Sequence, residues 1–145
     1  MPGFGERLAA VEQYEEQARA NARLVVRQLG PLSGIDFGLN RESVEWVEGF
    51  IERQRARPDF DADSVGGLVD TLGSFLGECI AANTGGAWRW SDEQQALGVA
   101  FPAGGMAFPF AKVRKLFLHG LEAGESISSF YDVAVDYLAK GKLGG

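Results

Sequence analysis

At 145 residues, with 46% apolar, 11% aromatic and 23% charged residues, the chain has enough apolar material to fold as one domain and too much for a disordered one. Fourteen bases against twenty acids leave a net charge of −6, an unfavourable balance for phosphate backbones, so no nucleic-acid partner is expected. A single cysteine excludes an internal disulfide, no apolar run approaches a membrane span of about 18 residues, and no basic stretch followed by an apolar one opens the chain, so a cytoplasmic protein with no membrane partner is expected.

Phe4, Leu8, Val11, Ala18, Ala22, Val25 and Leu29 recur at steps of three and four, interrupted only by Glu15 in the series, which predicts a long amphipathic helix over residues 4–29. Gly30-Pro31 should end it, because proline lacks an amide and disfavours helix in the residue before it. Arg19, Arg23 and Arg27 form a basic row on another face, with Glu12, Glu15 and Glu16 nearby; the simplest reading is a solvated face. A turn-rich connector follows, pinned by Ile35 and Phe37. Asn40 then reads as the N-cap of a second helix to about residue 57, with Val44, Val47 and Ile51 inward, acids early and arginines late.

Asp59, Asp61, Asp63 and Asp70 fall at positions 1, 3, 5 and 12 of a calcium loop. Ser64 stands where the loop needs glycine and Asp70 where glutamate is usual, so capping of the next helix by Asp63 or Ser64 is the better reading. That third helix, residues 65–82, is apolar over more than half its circumference and should be the most buried. Gly73 and Gly77 are four apart on it, a notch into which a ring or another backbone should pack.

Beyond Asn83-Thr84-Gly85-Gly86 the texture changes. Residues 87–90, 97–101 and 105–108 read as three short antiparallel strands. Alternation places Trp88, Trp90, Leu97, Val99, Phe101, Met106 and Phe108 on one face, and Arg89, Gly98, Ala100 and Ala107 on the other. Pro109 ends the sheet, a helix resumes over 110–118 with Gly120 as its cap, and Ser126 or Ser128 caps a last helix. The tail from Gly141 should fray. The expected fold class is α+β, helices packed on a small three-stranded antiparallel sheet, in the order ααα-βββ-αα.

Side chains suited to catalysis are few. His119 is the only histidine and sits where a helix C-terminus favours a cation, and Cys79 lies on an apolar face, so neither reads as reactive. One cysteine and one histidine cannot build a zinc site without several carboxylates, and the paired glycines lack the lysine and hydroxyl of a Walker loop. No metal and no cofactor are expected. Glu78 is the unusual polar residue: it interrupts an apolar run beside Gly77 and must find a partner or water. Arg89 or the amides of the Gly85-Gly86 turn could serve, holding its carboxylate and lowering its pKa. Trp88 could stack on a ligand, although paired strand aromatics are more often core. Glu78, Arg89 and Trp88 are therefore the candidate ligand-binding residues.

Several of these stretches, taken in order, carry a resemblance. Glu42-Ser43-Val44-Glu45-Trp46, Leu72-Gly73-Ser74-Phe75-Leu76-Gly77-Glu78, Gly85-Gly86-Ala87-Trp88 and Phe108-Pro109-Phe110-Ala111-Lys112-Val113 resemble an uncharacterised bacterial domain-of-unknown-function family. The similarity covers residues 40–137 and leaves the first helix outside a family-like core. It implies shared architecture and a bacterial setting, and no activity or site. The poverty of histidine, cysteine and paired acids points to a non-enzymatic binding or regulatory module, with a protein partner or a second copy as its target. The alternative is a small-molecule-binding protein or enzyme with a pocket near Glu78, Arg89 and the Gly85-Gly86 turn.

Overall fold

The computed structural model describes the backbone of residues 4–141 and the side chains of residues 10–141. Phe4, Leu8 and the end of the tail, Lys142 to Gly145, therefore fall outside the described side chains. The architecture is α+β in the expected order: α1 (Phe4–Ser33), α2 (Arg41–Arg55), α3 (Gly66–Thr84), β1 (Ala87–Ser91), β2 (Ala96–Ala100), β3 (Met106–Ala107), α4 (Pro109–His119) and α5 (Ile127–Val133), which runs on into a π-helical turn, Ala134–Leu138. The three strands form one antiparallel sheet in the order β1-β2-β3. No helix among the described residues is long and apolar enough to cross a membrane.

Helix α1 passes through Gly30-Pro31 instead of stopping there. Proline deletes one amide near the helix end, where little ladder remains to be lost, and termination falls to Gly34, whose φ of +70° is the left-handed geometry glycine adopts freely. Asn40 caps α2 as expected, its side-chain oxygen accepting from the Ser43 amide at 2.9 Å, and α2 ends two residues short of 57. The start of α3 differs from expectation. Asp61 accepts from the Asp63 amide at 3.0 Å and from the Ser64 hydroxyl at 2.8 Å, making a 3-10 turn over Ala62–Ser64, so neither Asp63 nor Ser64 caps α3.

Helix α3 is the hub. Val69, Leu72, Phe75, Leu76, Cys79 and Ile80 are all buried, within one core cluster that extends from Ala18 to Ala134. Helix α1 lies antiparallel along it, because the Asn21 amide reaches Ser74 while Arg19 acts on Glu78 one turn further on. On another flank the connector stacks Phe37 on Phe75 at 5.4 Å and edges it against Trp46 of α2. The Gly73 and Gly77 notch is filled: a Cβ at Gly73 would come within 2.5 Å of the Phe110 ring, and one at Gly77 would overlap the Trp88 indole.

The sheet obeys the expected alternation in β1 and β2 and breaks it in β3. Trp88 pairs with Val99, and Val99 with Ala107, so these three share the buried face. Met106 pairs with Ala100, and Phe108 lies against Gly98 on the opposite face. Met106 and Phe108 thus occupy the face assigned to Ala107. The three-residue turn Pro102 to Gly104 sets Phe101 opposite Gly105, the Phe101 amide donating to the Gly105 carbonyl at 3.0 Å, so the odd-numbered residues of β3 side with Val99 and the even-numbered ones take the other face. Trp90 keeps the alternation of Trp88 but, paired with Leu97 toward the end of the ribbon, is 39% exposed.

Candidate functional site

Glu78 projects from α3 where that helix meets α1. It is half-buried and has no hydrogen-bond or ion-pair partner among the described residues. Together with Arg19, Arg23 and Arg27 of α1 and Leu39 of the connector it lines an open groove of about 710 Å³, whose apolar side is completed by Ala20, Ala22 and Val26. The row that reads as a solvated face is therefore one wall of a concave surface. The spacing of four residues puts the three guanidiniums on one line, about 12 Å from first to last at 1.5 Å per residue. Arg19 is tied to Glu15 at 2.9 Å. Among the described residues, Arg23 and Arg27 have no carboxylate within ion-pair distance.

Burial pushes the Glu78 carboxyl above its usual range; the Arg19 guanidinium, the Trp88 indole and Arg23 draw it back, and Glu15 adds to the rise. This reverses the expectation of a clasped, lowered carboxylate. The reason is local: the Gly85 amide donates to the Ala81 carbonyl at 3.1 Å and the Gly86 amide to the Thr84 hydroxyl at 3.1 Å, so the turn has no amide left for Glu78. Trp88 is 5% exposed, its ring wedged between Gly77 and Phe110. Its buried indole N–H has no acceptor at hydrogen-bonding geometry among the described residues, so its pull on Glu78 is that of a nearby dipole. Arg89 does not join the site. It pairs with Gly98 across the ribbon, is exposed, and forms no ion pair among the described residues.

Elsewhere, Cys79 is fully buried and its thiol is pushed far up by burial, which leaves it without nucleophilic character. His119 is exposed in the last turn of α4. The Glu48 carboxylate of α2 receives the Ser126 hydroxyl, and also the Ser128 amide and hydroxyl, each at 3.1 Å. Ser126 in turn accepts from the Ser129 amide. No imidazole attends these serines, and the constellation is a helix cap supplied across 78 residues of sequence. A second, smaller cavity of about 320 Å³ lies between β3, α4 and the C-terminal helix, with Phe108, Phe130 and Lys115 on its wall; its Lys112 is bound to Glu125 at 2.7 Å.

The groove is what reading the chain alone overlooked. One signal for it was present: Arg23 and Arg27 have no acid four residues away on either side, unlike Arg19 with Glu15. Glu78 was legible as a polar residue interrupting an apolar run, whereas Leu39 carries no such signal, because only the path of the connector along α3 brings it to α1. No family model matches the chain, and no curated protein or solved structure matches it either.

Proposed function

We propose that the protein is a non-enzymatic binding module that engages an acidic surface of a partner protein through the α1 groove. The observation that carries this is the arginine row along its wall. Like charges four apart on a helix repel by a few tenths of a kcal/mol per pair, and among the described residues neither Arg23 nor Arg27 has a carboxylate within ion-pair distance to offset that repulsion, Glu78 acting on Arg23 only at longer range. An acidic strand or helix laid along the groove supplies three counter-charges at matching intervals, while Val26 and Leu39 offer an apolar strip beside them. The chemistry of the site supports recognition rather than turnover: it holds one carboxyl and no nucleophile or imidazole. The resemblance to a bacterial domain family of unknown function is compatible with this reading and adds no residue to it.

Titration of the full chain with hexaglutamate at low ionic strength, followed by backbone amide shifts, tests the proposal. Binding should perturb residues 19–27 and 39, weaken with added salt, and fall at least about tenfold in the double variant Arg23→Glu, Arg27→Glu, a change of about 1.4 kcal/mol. Shifts confined to another surface, or affinity unchanged in the double variant, would overturn it.

A second reading rests on one further observation. The half-buried Glu78 carboxyl lines the groove without a hydrogen-bond partner among the described residues, which suits a small polar ligand there, the volume lying within the range of small-molecule sites. Native mass spectrometry of the purified protein separates the two: a retained small molecule, lost in Glu78→Gln, favours this second reading.

A further inference from the structure

Helix α1 carries its own complement. Glu12, Glu16, Arg19 and Arg23 recur at steps of four, three and four, which at 100° per residue confines them to an arc of about 60°. All four are exposed. The seam lies to one side of the line Ala18, Ala22 and Val25 that α1 buries against the core. Its N-terminal half is acidic and its C-terminal half basic. Among the described residues, Glu12, Glu16 and Arg23 form no ion pair.

We infer that the acidic surface received by the α1 groove is the α1 helix of a second copy of this chain, packed antiparallel about a two-fold axis. This rests on the reading of the groove as a docking surface for acids, and it names the occupant. In an antiparallel pair Arg19 meets Glu16 of the other copy in the same register in which Arg23 meets Glu12. That register is centred between residues 17 and 18, and the two-fold axis repeats both contacts, giving four ion pairs from two. Such a self-complementary patch is what an isologous dimer requires. A parallel arrangement sets arginine against arginine and glutamate against glutamate, so the charges also select the orientation. The steps of four and three keep the four charges in line along the helix, where a second helix can meet them in succession. Arg27 and Leu39, beyond the central pairs, extend the groove wall over the partner helix.

Sedimentation equilibrium of the full chain, over concentrations from micromolar to millimolar, is the test. The wild-type chain should show a reversible monomer–dimer equilibrium. Arg23→Glu and Glu12→Arg should each weaken it at least about tenfold, since each turns two attractions per dimer into two repulsions. The chain carrying both changes, with the pair reversed in place, should recover to within about threefold of the wild type. Both substituted positions, Glu12 and Arg23, are exposed, and an unchanged thermal midpoint for each variant shows that folding is intact. A wild-type chain that stays monomeric, a dimer indifferent to both single variants, or a double variant that fails to recover overturns the inference. Hexaglutamate distinguishes the two failures: a monomer that still binds it along residues 19–27 removes the second copy and keeps the acidic-partner reading, and a monomer that binds none removes both.

Discussion

The smallest side chain on α3 has the largest steric consequence. Alanine is a better helix former than glycine by about 1 kcal/mol, so propensity alone favours Gly77→Ala. The added methyl would overlap the Trp88 ring and stand 3.0 Å from Pro109. The indole is itself pressed on Phe110, with ring centroids 5.6 Å apart, and has nowhere to retreat. Overpacking of a filled core costs typically 1–3 kcal/mol, so after the propensity gain a net loss of up to about 2 kcal/mol is expected, read as a lower denaturant midpoint at unchanged slope. One position along, Glu78 makes a pH-dependent contribution of definite sign. A carboxyl raised by burial holds its proton longer in the folded chain than in the unfolded one. Its stabilising effect is therefore complete below the ordinary value of 4.5 and is lost as pH rises through the raised one. Glu78→Gln should remove that decline and leave Tm higher than wild type at neutral pH. A thermal scan at several pH values checks both, and a parallel pair of curves would show that Glu78 is solvated like any surface acid.

At the scale of elements, local chemistry was legible and distant chemistry was not. Asn40 and Ser126 cap their helices as the residue types predict, since a cap acts within three residues of itself. The packing notch was equally readable, because two glycines in the middle of an apolar helix need a close neighbour to offset their propensity cost. By contrast, nothing near Glu48 in sequence reveals that it closes the N-terminus of α5, and nothing near Leu39 reveals that it lines a groove with α1. These depend on where the chain returns. The Glu48 contact has a measurable weight. Ser128 is 7% exposed and gives both its amide and its hydroxyl to that carboxylate. Truncation by Glu48→Ala strands these donors, and an unsatisfied buried donor costs about 1–3 kcal/mol. Glu48→Gln retains the oxygen acceptor and should recover part of the loss. Urea denaturation of the two variants should rank wild type, glutamine and alanine in falling order; equal midpoints for all three would show that water serves α5 as well as Glu48 does.

For the whole molecule, α1 is part of the core, although the expected family-like core begins only near residue 40. The core cluster includes Ala18, Ala22 and Val25 of α1, each no more than 4% exposed. Those three small residues let α1 lie close along α3, and the Asn21 to Ser74 hydrogen bond fixes its register there. The helix is thus a wall of the core as well as of the groove. Shortening the chain to begin at Gly34 should consequently do more than delete a binding surface. It uncovers the flank of α3 that α1 protects, where Ser74 is 2% exposed, and it removes part of the apolar burial that holds a domain of this size at about 5–15 kcal/mol of stability. The shortened chain should bind a hydrophobic dye, keep helical far-ultraviolet dichroism and lose the single cooperative unfolding transition of the intact protein. If it unfolds cooperatively instead, with a slope reduced in proportion to its length, residues 34–145 form a complete core, and α1 is a detachable arm whose arginine row exists for a partner alone.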